Sequence, residues 1–532
     1  MINSKQSRLQ IWMPLWLSLA MIGGIFIGYK MRDGIPGKPF FHTERRAPVQ
    51  EVLDLVRNKY VDQVNLESLS DTAINAILAK LDPHSTFISA SELEEVNEDI
   101  QGSFFGIGIE FDLFDDTVNV MRLLPDGPAS KAGLQPGDRI LKADERKLSG
   151  VKLPSDTIRK ILRGEKGSSL TLNILRQNQP KSITVTRNMI PVNSVDAAYM
   201  LSRETGYLRL NKFSTQTYRE FMIALTELNK KGMKKMILDL RGNGGGILDE
   251  AAEIADEFLA GDKLITYTEG LHSKRKEFRC RRVGQFETGA LVLLCDEGTA
   301  SASEILLGAL QDWDRATIIG RKSFGKGLVQ EQYDLQDNSA LRLTVARYYT
   351  PTGRSIQRTY KNGQKAYYEE MENRMLNGSF ASDSAKKDSG RVFLTPEGKK
   401  VYAEGGISPD EYIPADTSRI SPTMREFYLR GLFNRYAYIY LQQNPDFDSR
   451  YQNQSSFNSS FMMTPADWTN LSAMAAKDSI KNQVLTDAER VIAEKAVKAS
   501  IARLRWENLG FYEVMNLKDP YILAAQETLN RQ

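Results

Sequence analysis

Histidine and cysteine are scarce in this chain. Its 532 residues hold three histidines, His42, His84 and His272, and two cysteines, Cys280 and Cys295. A serine enzyme built on this sequence therefore has few candidates for a histidine base, and the cysteines lack the spacing of a zinc site. Two cysteines cannot make a disulfide framework. One bridge between them is open, but Cys295, closing the run Ala290-Leu-Val-Leu-Leu-Cys295, reads instead as a small buried core residue. An excess of one charge is missing too. With 70 basic and 67 acidic residues the formal net charge is +3, so no overall field points to nucleic acid. The composition, 41% hydrophobic and 26% charged, is that of a globular chain, and its length allows roughly two to four domains.

Charge is absent altogether from Ile11 to Tyr29, a run of 19 residues after Lys5 and Arg8. That is long enough to span a bilayer. No A-x-A cleavage site follows closely, so residues 1–33 read as a short cytoplasmic tail and an uncleaved signal anchor rather than a removed signal peptide, with Gly23, Gly24 and Gly28 leaving cleavage open. Lys30, Arg32 and Lys38 balance the basic residues before the run, and the positive-inside rule leaves its orientation open.

Residues 34–100 read as a helical domain, with Val52, Leu53, Leu55 and Val56, then Ile74, Ile77, Leu78 and Leu81, at helical spacing. Ser91-Glu-Leu-Glu94 is expected to open a further helix as a capping box. Asp82-Pro83-His84-Ser85 is a turn, and His84 receives no catalytic role. Over 101–192 the pattern changes to short strands divided by Gly and Pro: Gly106-Ile-Gly-Ile109, Val118-Asn-Val-Met121, Gly127-Pro-Ala129 and Pro136-Gly-Asp138. In that order these segments resemble a PDZ domain, with Gly106, Ile107, Gly108 and Ile109 in place of its carboxylate-binding loop. Glycines let successive N–H groups point into one concavity, and the following strand offers an edge to an extended peptide. A helix from about Ser155 to Leu162 forms the expected other wall, with Ile158 and Leu162 as its substrate-binding residues.

From about residue 195 strand and helix alternate. Gly206-Tyr-Leu-Arg-Leu210 and Lys235-Met-Ile-Leu-Asp239 read as strands, Phe221, Met222, Leu225 and Leu228 mark one helix, and Ile247 to Leu259 another. This alternation implies a parallel α/β core. The turn Leu240-Arg-Gly242-Asn-Gly244-Gly-Gly246 gathers N–H groups where an anion or oxyanion binds. Nucleotide readings fail. The glycines lack G-x-G-x-x-G spacing, and Gly320-Arg-Lys-Ser-Phe-Gly325-Lys-Gly327 ends on glycine where a P-loop needs a hydroxyl for magnesium.

Apolar Ala290 to Leu294 leads to the turn Asp296-Glu-Gly298, and Ser301 opens a helix running to about Gln311. A helix N-terminus favours developing negative charge, and the Ala302 N–H is placed to help bind it. Lys326 follows in the loop Gly325-Lys-Gly327. A lysine can act as base once burial lowers its pKa. On spacing alone, Ser301 or Ser303 is a helix cap, Lys326 is a solvated lysine, and nothing brings the two together.

The ordered set Leu81-Asp-Pro-His-Ser85, Gly106-Ile-Gly-Ile109, Gly127-Pro-Ala129, Pro136-Gly-Asp138, Asp239-Leu-Arg241, Thr299-Ala-Ser-Ala-Ser-Glu304 and Gly325-Lys-Gly327 resembles the carboxyl-terminal processing peptidases, or tail-specific proteases. Leu341 to Gln357 and Gly405-Gly-Ile-Ser-Pro-Asp410 extend the resemblance over most of the chain. It implies a multidomain α/β protein. A crotonase-like peptidase core over 193–420, with an insertion around 358–404, carries the PDZ domain, the N-terminal helical domain and a helical C-terminal domain over 421–532. It also implies Ser301 as nucleophile, Lys326 as general base, Gln330 as the residue that orients the lysine, and Ala302 and Gly245 as the oxyanion hole. Glu304 and Asp312 match acidic positions near the site, where capping and structural hydrogen bonding are an equal reading.

No metal or cofactor is implied. The expected partners are protein or peptide substrates with apolar C-termini, with a homo-oligomer or an adaptor protein left open, and the expected place of the catalytic bulk is periplasmic or otherwise extracytoplasmic. Asp296 stands where many relatives carry Asn. Phe427, Leu429, Leu432, Phe433, Tyr436 and Tyr440 predict an added helical core, while Tyr451 to Ser460 reads as a loop or linker. A rival from another class is a catalytically idle PDZ adaptor, against which an intact Ser301, Lys326 and Gln330 argue. An acyl-CoA enzyme on a similar core is disfavoured by the PDZ insertion.

Overall fold

The strands Lys235–Asp239 and Ala290–Cys295 are apolar along most of their length, and such strands need cover on both faces of a sheet. In the computed structural model, which describes residues 8–34, 48–376, 391–414, 421–480 and 485–531, they lie at the centre of six strands. The order is Val195–Met200, Thr205–Leu210, Lys235–Asp239, Ala290–Cys295, Thr317–Gly320, Glu411–Tyr412. The first pair is antiparallel and the rest are parallel, as strand-helix alternation requires. Leu208, Leu238, Leu293 and Ile318 pack with the helices Thr217–Lys230, Leu248–Asp256 and Ala302–Asp312. Their chain neighbours Tyr207, Ile237, Val292 and Ile319 point the other way and are covered by Tyr521, Ile522, Ala525 and Leu529 of the helix Pro520–Arg531.

A second, antiparallel sheet joins Leu328–Asp334 to Ala340–Tyr349, which also pairs with Leu264–Glu269 and Thr86–Ile88. A third sheet holds Ile109–Phe114, Thr117–Leu123, Arg139–Ala143, Ser169–Arg176 and Gln179–Thr186 around a core that includes Val120, Ile140, Leu172 and Ile174. Ser103–Gly106 runs antiparallel to Asn188–Pro191, so this segment leaves and rejoins the chain at one place. Cys280 and Cys295 are both buried and unpaired.

Three expectations are corrected and a fourth gains no support. The capping box sits two residues earlier than Ser91, with Ser89 as N-cap and Glu92 accepting its N–H, opening Ala90–Gln101. Ile158 is not on the groove surface: it is 0% exposed and belongs to the core beneath. Tyr451 to Ser460 is not a plain loop, because Asn453 accepts from the Ser456 N–H and caps Gln454–Ser460, which buries Phe457 among the aromatics of the C-terminal helices. Polar composition concealed that one anchor. The transmembrane expectation gains no support. Arg8–Gly34, within the first of the two units into which the chain divides at Ile74, is one continuous helix, but no helix among the described residues is long and apolar enough to cross a membrane. The side chains of Ile11 and Tyr29, at the two ends of the run, lie outside the described residues, as does His42.

Candidate active site

Ser301 stands at the N-cap of Ala302–Asp312 with φ 55° and ψ −117°. Few side chains adopt that backbone, and its cost points to a conformation held from outside. Two contacts hold it. The Glu304 carboxylate, fully buried, accepts from the Ser301 N–H at 2.8 Å. Asn243, fully buried in the glycine turn, accepts on its carbonyl oxygen from the Ala300 N–H and the Ser303 hydroxyl, each at 3.0 Å. The Ala302 N–H, first in the helix, has no hydrogen-bond partner among the described residues and is free to meet an oxyanion.

Gly245 lies against this corner. A Cβ there would come within 2.8 Å of both Ala302 N and Ser301 Cβ, and its φ is 95°. Its N–H, however, donates to Asn243 Oδ1 at 2.9 Å. The expected second oxyanion donor is therefore engaged in this geometry, and Ala302 supplies the open one.

Lys326 reaches the same place from a different loop. Glu304, besides holding Ser301, accepts from the Lys326 N–H at 2.9 Å, the Gly325 N–H at 2.7 Å and the Ser323 hydroxyl at 2.5 Å. The buried Tyr348 hydroxyl lies 3.2 Å from the Ser301 carbonyl oxygen and 2.7 Å from that of Lys326. Glu304 and Tyr348 thus pin the serine corner to the lysine loop. The Lys326 amine donates to Gln330 Oε1 at 2.9 Å, and the Gln330 amide in turn donates to the His84 carbonyl oxygen. Ser301 Oγ and Lys326 Nζ make no hydrogen bond to each other. Burial, followed by the positive charge on Arg342, holds the Lys326 amine below its ordinary range.

His84, given no role on sequence, supports this arrangement through its backbone. Asp82 accepts from the N–H groups of His84 and Ser85, both at 2.8 Å, and from the Ser85 hydroxyl at 2.6 Å. The Ser85 oxygen accepts from the Thr344 N–H, fixing the turn to the strand Ala340–Tyr349. Burial depresses the His84 imidazole to about 4, so it is neutral. Asp312 is structural: it takes Arg354 Nη2 at 2.7 Å and the Thr352 hydroxyl at 2.7 Å. Asp296 receives the Gly242 and Gly298 N–H groups, holding two turns together. Tyr348 and Asn243 escaped the sequence reading, since their spacing from Ser301 and Lys326 carries no signal of contact. A groove of about 300 Å³ on the third sheet is lined by Phe104, Gly106 to Phe111, Arg159, Leu162 and Arg163. Gly106, Ile107, Gly108, Ile109 and Leu162 are all among its lining residues.

Residues 204–363 match Peptidase family S41 and residues 106–186 match a PDZ domain. The carboxy-terminal-processing protease of Bartonella bacilliformis is 37% identical over 313 residues, covering 58% of this chain and 71% of that one. The chain belongs to peptidase family S41. This S41 protein is a carboxyl-terminal processing serine protease with a PDZ domain. It is also 32% identical over 368 residues to a probable CtpA-like serine protease of Staphylococcus epidermidis, covering 66% of this chain and 73% of that one. The solved photosystem II D1 C-terminal processing protease is 27% identical, with 69% of this chain and 86% of that chain covered and a TM-score of 0.37. Residues 423–507 match a family of unknown function.

Proposed function

We propose that this S41 protease cleaves peptide bonds with Ser301 as nucleophile and Lys326 as base, on substrates whose apolar C-terminal tails are held in the PDZ groove. The observation that carries the reading is the double tie of Glu304 and Tyr348, which fixes the serine at a helix start beside a buried lysine whose amine Gln330 orients. The neutral Lys326 amine takes the Ser301 proton as Oγ bonds to the substrate carbonyl carbon, and the Ala302 N–H meets the oxygen that gains charge. The ammonium then protonates the leaving amine as the C–N bond breaks. Water, losing a proton to the same lysine, releases the acyl group. In the groove, the N–H groups along Gly106 to Ile109 suit a terminal carboxylate, and Ile107 and Leu162 suit an apolar side chain. The uncharged run 11–29 and the exposed side chains of Trp16, Met21 and Ile25 support attachment to a membrane, and the family resemblance alone favours the extracytoplasmic side.

The test uses the full chain in detergent micelles, unchanged and as Ser301→Ala or Lys326→Ala. The substrate is one unfolded protein ending either in apolar or in charged residues, with products read by mass spectrometry. Each variant is expected to lose about ten-thousand-fold or more in kcat while its circular dichroism is unchanged, and the apolar tail is expected to be cut faster. Near-normal turnover in either variant removes that residue from the mechanism; equal cutting of both tails removes the groove from substrate choice.

A further inference from the structure

The Lys326 amine shares its cavity with a second cation. A space of about 430 Å³ beside the hairpin Leu328–Asp334/Ala340–Tyr349 is lined by Lys326, Gln330, His84, Tyr368 and Arg342 among others, and no carboxylate lines it. Across the hairpin Gln330 pairs with Thr344 and Gln332 with Arg342. Arg342 and Gln330 are therefore diagonal neighbours on one face, about 7–8 Å apart at the backbone and nearer at the side chains. Gln330 holds the Lys326 amine at 2.9 Å, which brings that amine to the same corner. The Arg342 guanidinium has a single hydrogen bond, Nη2 to Gln332 Oε1 at 3.3 Å, and no salt bridge among the described residues. The carboxylate that acts on its charge, Asp99, is itself paired with Lys212 at 3.2 Å, and a half-buried arginine with no carboxylate in ion-pair contact is costly unless its charge has a use.

We propose that Arg342 is a positioning residue for the reaction: its unpaired guanidinium disfavours a second positive charge in the cavity and keeps Lys326 as the neutral amine that accepts the serine proton. The inference rests on the reading of Lys326 as base. The other groups around the amine are accounted for. Glu304 and Asp82 favour its charged form, and Arg342 opposes them. Glu304 already spends its lone pairs on four donors. His84 is neutral, the Tyr348 hydroxyl is held in its neutral form by burial, and Arg358, stacked on Tyr367 behind His84, adds positive charge rather than removing it. Burial of the amine acts first, and Arg342 acts in the same direction.

The test compares kcat/KM against pH for the full chain, Arg342→Gln, Arg342→Lys and Lys326→Ala, on one unfolded substrate with an apolar tail. Arg342→Gln is expected to move the acid limb up by about one pH unit, a loss of about tenfold on that limb, with the alkaline plateau unchanged. Arg342→Lys is expected to restore the original limb. Gln332→Glu gives Arg342 a carboxylate without removing it and is expected to move the limb the same way, so the inference stands or falls even if Arg342→Gln does not fold. An unmoved limb overturns it, as does a loss equal at every pH. A rise in KM with the limb in place makes Arg342 a substrate contact and also overturns it. Retained cleavage in Lys326→Ala is a different failure: it removes the base itself, and the inference with it.

Discussion

Glu304 is the most heavily used side chain at the site, and each of its four recorded partners donates to it: the N–H groups of Ser301, Gly325 and Lys326 and the Ser323 hydroxyl. Full burial nevertheless pushes its carboxyl from an ordinary 4.5 up to about 7. The direction sets the pH dependence. Between about 4.5 and 7 the folded protein keeps a proton that the unfolded chain has already released, so this group makes stability fall as pH rises through that window and adds no further change above it. Glu304→Gln is expected to lose that dependence. It also turns an NH₂ group towards the donors, at a cost of about 1–3 kcal/mol. Urea unfolding at pH 5 and pH 7.5 reads both: the stability gap between wild type and variant should narrow at the higher pH, and a gap that stays constant would mean an ionised carboxylate throughout. At this scale the family resemblance, rather than local spacing, pointed to Ser301, Lys326 and Gln330. The sequence was silent on Tyr348 and Asn243, because a hydroxyl that touches two distant carbonyls leaves no local pattern.

The helix Ala302–Asp312 carries its strain at its N-cap, Ser301, with φ 55° and ψ −117°. Glycine bears such a backbone with little penalty, whereas alanine does not. Ser301→Gly is therefore expected to be more stable than Ser301→Ala by about 1 kcal/mol, both being inactive. The urea midpoints decide it, and an alanine variant equal to or more stable than the glycine variant would show that the helix start stores no strain. Gly245 sets the opposing wall, where a Cβ would fall 2.6 Å from the Ala300 carbonyl oxygen. Elements with a clean period were legible in the sequence: the buried strands from their continuous apolar runs, and Ser155–Leu162 from its apolar pair. Which of two apolar residues faces a groove and which the core, as with Leu162 and Ile158, depends on packing around the helix rather than on spacing along it. The exchange of Ser91 for Ser89 has the same origin, since several serines and glutamates there satisfy one capping pattern.

Across the whole molecule, the last helices bind segments that lie far apart in sequence. Arg503 of the helix Asp487–Asn516 pairs with Glu110 at 2.7 Å, and Glu507 pairs with Arg122 at 3.1 Å, both on neighbouring strands of the PDZ sheet. Glu507 sits where that helix breaks, with φ 58°. Beyond the break Asn508 donates to Asp196 of the peptidase sheet, and Asp519 pairs with Arg241 at 2.9 Å, beside the glycine turn of the site. Pro520–Arg531 then covers the central strands on one face of that sheet. The C-terminal domain is therefore part of the peptidase core's own packing, which the aromatic spacing of 427–440 could not reveal, since it reports only a helix with an apolar side. Leu529 is fully buried against Ile237 and Val292 in the same cluster. Leu529→Ala is expected to cost about 2–5 kcal/mol and to speed amide exchange in Lys235–Asp239 and Ala290–Cys295, strands more than two hundred residues upstream. A dispensable appendage would instead show the loss confined to its own helices, with exchange in those strands unchanged. Because Asp239 at the end of the first strand carries Arg241 into the glycine turn, loosening that face should lower cleavage before it unfolds the chain, and activity measured at rising urea should fail ahead of the circular dichroism signal.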